Sequence, residues 1–230
     1  MTESPLNWRL VQHLVLKDWY FLRTSLVVYL AVGAFALFLV SAGSEGTFYA
    51  GAVLLFTILI SLGIHLVMAT VIQERTHQTL AFVMTLPISP REYTTAKMLA
   101  NLSIFMVPWT IFLAGTLAIF GFGLEGAGLA LIPFAVVILT EILLAYCFVL
   151  AVALVSESEG WTIAAMVATN LAFQGVLYVV SHLPDMASTM KGSVVVWNST
   201  SLGLLTVEFA LIAALVVAIF RLQSRKTDFI

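Results

Sequence analysis

Apolar residues fall in six long stretches, at about 24–42, 48–72, 101–122, 127–155, 161–181 and 202–220, each near the roughly 20 residues that a helix needs to cross a bilayer. The two longest polar intervals between them are 73–100 and 182–201, too short for a separate domain of usual size. Ahead of the first stretch, Leu10, Val11, Leu14, Val15, Trp19, Phe21 and Leu22 share one broad helical arc, with Arg9, Gln12, His13 and Arg23 opposite. That pattern predicts an amphipathic helix over about 5–23 lying in the membrane interface, with Lys17 and Asp18 as imperfections. The alternative is an extended start of the first span. The fold expected is all-α: one polytopic transmembrane domain over 1–230, with six spans, an N-terminal interfacial helix and a loop over 73–100 between spans two and three.

Inside that loop the pattern predicts two helices. Ser89-Pro90-Arg91-Glu92 is a capping box with proline at the first helical position, so a helix starts there and runs into span three. Before it, Gln73 to Leu86 holds no Gly or Pro, and Leu80, Val83 and Met84 form a small apolar face. Pro87 ends this first helix, because a residue before proline avoids the helical region.

Composition places the chain in lipid: 61% of the 230 residues are hydrophobic and 10% charged, against about half and a quarter in soluble domains. Charge sets the expected orientation. Nine of the ten Lys and Arg lie before span one, in the 73–100 loop or after span six, and only Lys191 lies on the other side. Positive residues stay cytoplasmic, so both termini and the loop are expected there, with the Glu45 and Glu125 turns and the 182–201 segment outside. Residues 1–16 lack the apolar core and cleavage site of a signal peptide. The single cysteine, Cys147, rules out an internal disulfide and a cysteine-based metal site. A net charge of -2 gives no reason to expect nucleic acid as a partner. Asn198-Ser199-Thr200 is a sequon of a kind common by chance.

The run Glu74-Arg75-x-x-x-Thr79-Leu80, then Leu86-Pro87-Ile88-Ser89-Pro90-Arg91-Glu92-Tyr93 and Lys97, resembles the loop after the second span in ABC-2 type permeases, the membrane subunits of ATP-driven exporters. The Lys17-Asp18…Arg23 helix and the six spans fit the same family, while Gln78 stands where it usually has glycine. The resemblance implies that the loop carries a coupling helix docking on a separate ABC ATPase subunit. Glu74 and Arg75 would make partner contacts, with His77 near the leading end and Thr79 and Leu80 as packing support; Ser89 and Glu92 read as structural. It also implies a second permease copy or a homologous permease, a lipid environment in the inner or plasma membrane, and export as the direction. No lysine follows a glycine, so there is no Walker loop; the chain is expected to hold no cofactor, with ATP and Mg bound by the partner. The alternative for the loop is a solvated hairpin anchoring spans two and three.

Polar residues inside the spans are the candidate pathway. Thr57, Ser61 and His65 in span two, and Asn170, Gln174 and Tyr178 in span five, recur every four residues and so share a face in each helix. In the resembled family these two spans line the central path between protomers; the alternative is hydrogen bonding that holds the bundle together. Glu141 and Glu208 are buried ionisable groups with no Lys or Arg inside a span to neutralise them, so each is expected to be neutral, hydrogen-bonded or water-exposed, in a proton-relay or a helix-packing role. Ala164, Ala168 and Ala172 form a small-residue row that lets another helix approach.

An intramembrane enzyme is the competing class. The four histidines, His13, His65, His77 and His182, are scattered in depth, no His-Glu-x-x-His or Gly-x-Ser-x-Gly motif occurs, and no histidine pair suits haem. No catalytic residue is therefore assigned. A stand-alone carrier or channel would leave the 73–100 loop unexplained, and the spans show no internal repeat. The interior suits an amphipathic or lipid-like cargo, a description that fits most membrane interiors and selects no substrate.

Overall fold

The computed structural model describes residues 7–76, 89–123 and 128–223. Helix α1 runs unbroken from Trp8–Ser41. A short turn leads into α2 (Glu45–Val67), whose first turn is capped by Ser44. One π-helical turn, Met68–Ile72, joins it to the single-turn helix α3 (Gln73–Thr76). Helix α4 (Pro90–Ala118) continues through a second π turn, Ile119–Gly123. After a 3-10 turn at Leu129–Leu131 come α5 (Ile132–Ser156), α6 (Glu159–His182), the short α7 (Pro184–Met190) and α8 (Ser199–Gln223). Six of these helices are long and apolar enough to cross a membrane, and no strand occurs among the described residues.

The amphipathic stretch and span one prove to be a single helix, as the extended-start alternative has it. Its 34 residues measure about 51 Å, against about 30 Å of hydrocarbon, so more than a third of the helix projects past one lipid core thickness. Residues 5 and 6 of the expected interfacial helix, the Glu125 turn, and Arg225 and Lys226 lie outside the described residues.

Span four is the hub. Helix α5 packs on α2, α4, α6 and α8, and two thirds of its most apolar window is buried, against 11% for α8. Its core face carries Val137, Ile138, Leu139, Ile142, Leu150 and Leu154. Buried Trp109 of α4 donates its indole N–H to Leu139 O at 2.7 Å, and Phe105 stacks on Tyr146 with centroids 3.9 Å apart. Helix α1 lies against α2 and α4. Close approach there depends on glycine: a Cβ on Gly51 would stand 2.7 Å from Ala36 O and Val40 N of α1, backbone atoms that cannot step aside.

The 182–201 segment folds around α7. Asn198 caps α8 by accepting from Ser201 N at 2.8 Å, and its amide donates to Asp185 O at 3.2 Å. The sequon asparagine thus serves as a helix cap.

Candidate functional site

The capping box at the start of α4 forms as its spacing predicts. Glu92 N donates to Ser89 Oγ at 3.3 Å, and Ser89 N donates to Glu92 Oε2 at 2.8 Å. The other carboxylate oxygen, Oε1, accepts from Asn7 N at 2.8 Å. Since Asn7 stands at the N-cap position of α1, one glutamate accepts from the backbone at two helix starts and pins them together.

Two turns further on lies a buried charge cluster. Lys97, 1% exposed, donates to both oxygens of Asp18 at 2.9 and 3.2 Å, and Asp18 is 3% exposed. The same ammonium lies 2.8 Å from Glu74 Oε1, which also accepts from Lys17 at 2.7 Å. Tyr93 donates its hydroxyl to Glu74 Oε2 at 3.2 Å, and Lys17 approaches Asp18 at 3.5 Å. Among the described residues the cluster sets two ammonium groups against two carboxylates. It joins the N-terminal half of α1, α3 just past span two, and the first turns of α4. Burial opposes ionisation of Glu74, yet Lys97 and Lys17 outweigh it and hold the carboxyl below its ordinary value.

Asp18 is therefore not an imperfection in an amphipathic pattern. It occupies the buried face of α1 with Leu14 and Leu22 at four-residue spacing, and is tolerated there because Lys97 meets it. The signal was present in the sequence as a carboxylate in the apolar row, opposite a lysine in a later helix; the pairing required the tertiary arrangement.

Below the charge cluster a second polar network continues into the bundle. Asn101 donates its amide to Lys97 O at 2.9 Å and to Thr70 Oγ1 at 2.8 Å, while Thr70 donates to Leu66 O at 2.7 Å. Tyr146 of α5 reaches Asn101 Oδ1 at 3.5 Å. Thr70 lies in the π turn that ends span two, and π turns inside helices gather at functional sites. Sequence reasoning took Lys97 only as the end of the loop motif and passed over Thr70, Asn101 and Tyr146, because single polar residues in apolar helices carry no spacing signature.

Of the expected coupling residues, Glu74 lies in the charge cluster with its side chain 16% exposed, and Arg75 belongs to α3. His77, Thr79 and Leu80 lie outside the described residues. In the span-two stripe Ser61 and His65 are half-exposed and meet α1, with the Tyr29 and His65 rings 5.8 Å apart and Tyr29 donating to Ser61 O at 3.5 Å, while Thr57 is exposed and bonds back to Val53 O. Asn170, Gln174 and Tyr178 are exposed on the outer side of α6, where Tyr178 stacks on His182. The two spans touch through the Phe56 and Phe173 rings, 5.7 Å apart, but the stripes share no hydrogen bond among the described residues. No group of residues suited to a metal ion occurs among the described residues.

Six helices long and apolar enough to cross a membrane, in an all-helical bundle, define an integral, multi-pass, all-α membrane protein. The family described as ABC-2 family transporter protein matches residues 28–207, most of the chain, and the protein belongs to that family. Neither the search of curated proteins nor that of solved structures found a match. Membership makes the chain a permease-type transport component, of a kind that is generally not catalytic alone and works with an ABC ATPase subunit.

Proposed function

We propose that the chain is the membrane subunit of an ATP-driven exporter, coupled through the 73–100 loop to an ATPase on a separate chain. The observation that carries this reading is the Lys97 cluster. A loop that merely anchored two spans would need no buried charges; here the start of the loop (Glu74) and the helix leaving it (Lys97) are locked to α1 through one buried ammonium. A force applied to the loop would therefore be borne by α1, α2 and α4 together. Glu74 supports this by setting the position of α3, and Arg75, His77, Thr79 and Leu80 would meet the partner. On this reading the loop and both termini are cytoplasmic, and the membrane is the inner or plasma membrane.

Exposure of Asn170 and Gln174 on α6 favours a second permease copy. Polar side chains within a membrane face protein or water rather than lipid, and both of these are exposed among the described residues. A facing copy would enclose the span-two and span-five stripes as a path. The test is co-purification with an ABC ATPase subunit from cells expressing both. Wild-type protein is expected to retain that ATPase and to stimulate its hydrolysis, whereas Arg75→Glu loses both while remaining folded. Recovery of the permease without any ATPase, from cells expressing both, would overturn the coupling reading.

A further inference from the structure

The apolar arc in the first half of α1 is turned into the protein: Val11 and Leu14 pack with Ala96 of α4, and Asp18 meets Lys97. The opposite side therefore faces away from the bundle. Along it Arg9, His13, Leu16, Tyr20, Arg23 and Val27, three or four residues apart, form one exposed row. Arg23 stands at the changeover, one residue before the apolar stretch of span one. Val27 and its neighbour Val28, 65% and 57% exposed, continue this side into the hydrocarbon, while Arg9 lies about 21 Å the other way along the axis.

Arg23 is held ready for an anion. Its guanidinium lies 4.0 Å over the Tyr20 ring, and its Nη2 donates to the Tyr20 hydroxyl at 3.3 Å. The guanidinium keeps further N–H donors, and the Tyr20 hydroxyl keeps its own proton to donate. Asp18, the one acid in α1, is buried against Lys97, and among the described residues neither Arg9 nor Arg23 meets a carboxylate. At the edge of the hydrocarbon an outward cation meets lipid phosphates, which a guanidinium binds bidentately. A zwitterionic headgroup balances its phosphate with its own ammonium. Arginines without an acid beside them instead favour a lipid of net negative charge.

We propose that the outward row of α1 binds an anionic phospholipid, with Arg23 and Tyr20 on its phosphate and Val27 and Val28 against its acyl chain. The site needs neither an ATPase at the 73–100 loop nor a particular side for that loop. The test places a bimane fluorophore on Val27→Cys in the full chain, in lipid nanodiscs, the native Cys147 being buried. Quenching by brominated phosphatidylglycerol is compared with quenching by brominated phosphatidylcholine, each present in both leaflets. Phosphatidylglycerol is expected to quench in preference at Val27, with the preference reduced about fivefold by Arg23→Gln and kept by Arg23→Lys. At Val53→Cys, an exposed position of α2, which carries no Lys or Arg, the two lipids should quench alike. Equal quenching by the two lipids at Val27, or a preference unchanged by Arg23→Gln, would overturn the proposal. So would the absence of quenching by either lipid, which would put another protein surface on the row.

Discussion

Asp18 and Lys97 are residues that a hydropathy plot penalises, and each makes the other tolerable. Taking either away leaves a charge in the interior, a loss of about 3–5 kcal/mol where such pairs have been broken. Lys97→Met is expected to lower thermal stability by that order, since it strands Asp18 and withdraws a cation from Glu74. The double variant Asp18→Leu/Lys97→Met should lose clearly less than the two single losses added, because no isolated Asp18 charge remains. Melting of the four proteins in one detergent closes the cycle, and strict additivity would mean that the pair is not coupled. Glu74 gives the same junction a pH dependence. Its carboxyl is held below the ordinary value, so its stabilisation is complete above about pH 4.3 and is lost as acid titrates the folded form below that. Melting temperature is expected to stay level from neutral pH down to about 5 and then fall; Glu74→Gln should start lower and fall less steeply.

Among the elements, α1 and α2 are joined by backbone proximity more than by side-chain volume. Gly51 faces Ala36 O and the Val40 backbone of α1, and a side chain there must part the helices. Gly51→Leu is expected to cost about 1–3 kcal/mol or more through overpacking. Gly46, in the same helix with open space around it, is the control: Gly46→Ala should be neutral or stabilise by up to about 1 kcal/mol, from helix propensity alone. Equal melting temperatures for the two variants would remove the close-approach argument. Helix α4 shows how a local signal can be complete in sequence. Ser89, Pro90 and Glu92 specify its start because a cap needs only neighbouring residues. That the same Glu92 also accepts from Asn7 N, 85 residues away, had no local signature.

For the whole molecule, the charge asymmetry makes a prediction about sides. With the 73–100 loop cytoplasmic, a cysteine replacing exposed Ser188 of α7 should react with a membrane-impermeant maleimide in intact cells. One replacing exposed Arg9 should react only after permeabilisation. The native Cys147 is buried and contributes no background labelling. The reverse pattern would invert the topology and place the Lys97 junction on the side away from ATP.

Sequence alone determined the class, the span count, the capped start of α4 and the family, because bilayer thickness, helical period and cap chemistry act on neighbouring residues. Spans two, four, five and six lie within a few residues of those expected, whereas the helices of spans one and three begin well before their apolar stretches, at Trp8 and Pro90; the 73–100 loop was singled out by its polarity. Tertiary structure alone decided that span four is the hub, that Asp18 answers Lys97, and that Asn101 bridges Thr70 and Tyr146. Each of these is a contact between helices far apart in the chain, and an apolar helix buried on every side carries no stripe to say which neighbour it will meet. In a membrane, where lipid is as apolar as the core, the few polar side chains choose partners, and only the assembled bundle tells which they chose.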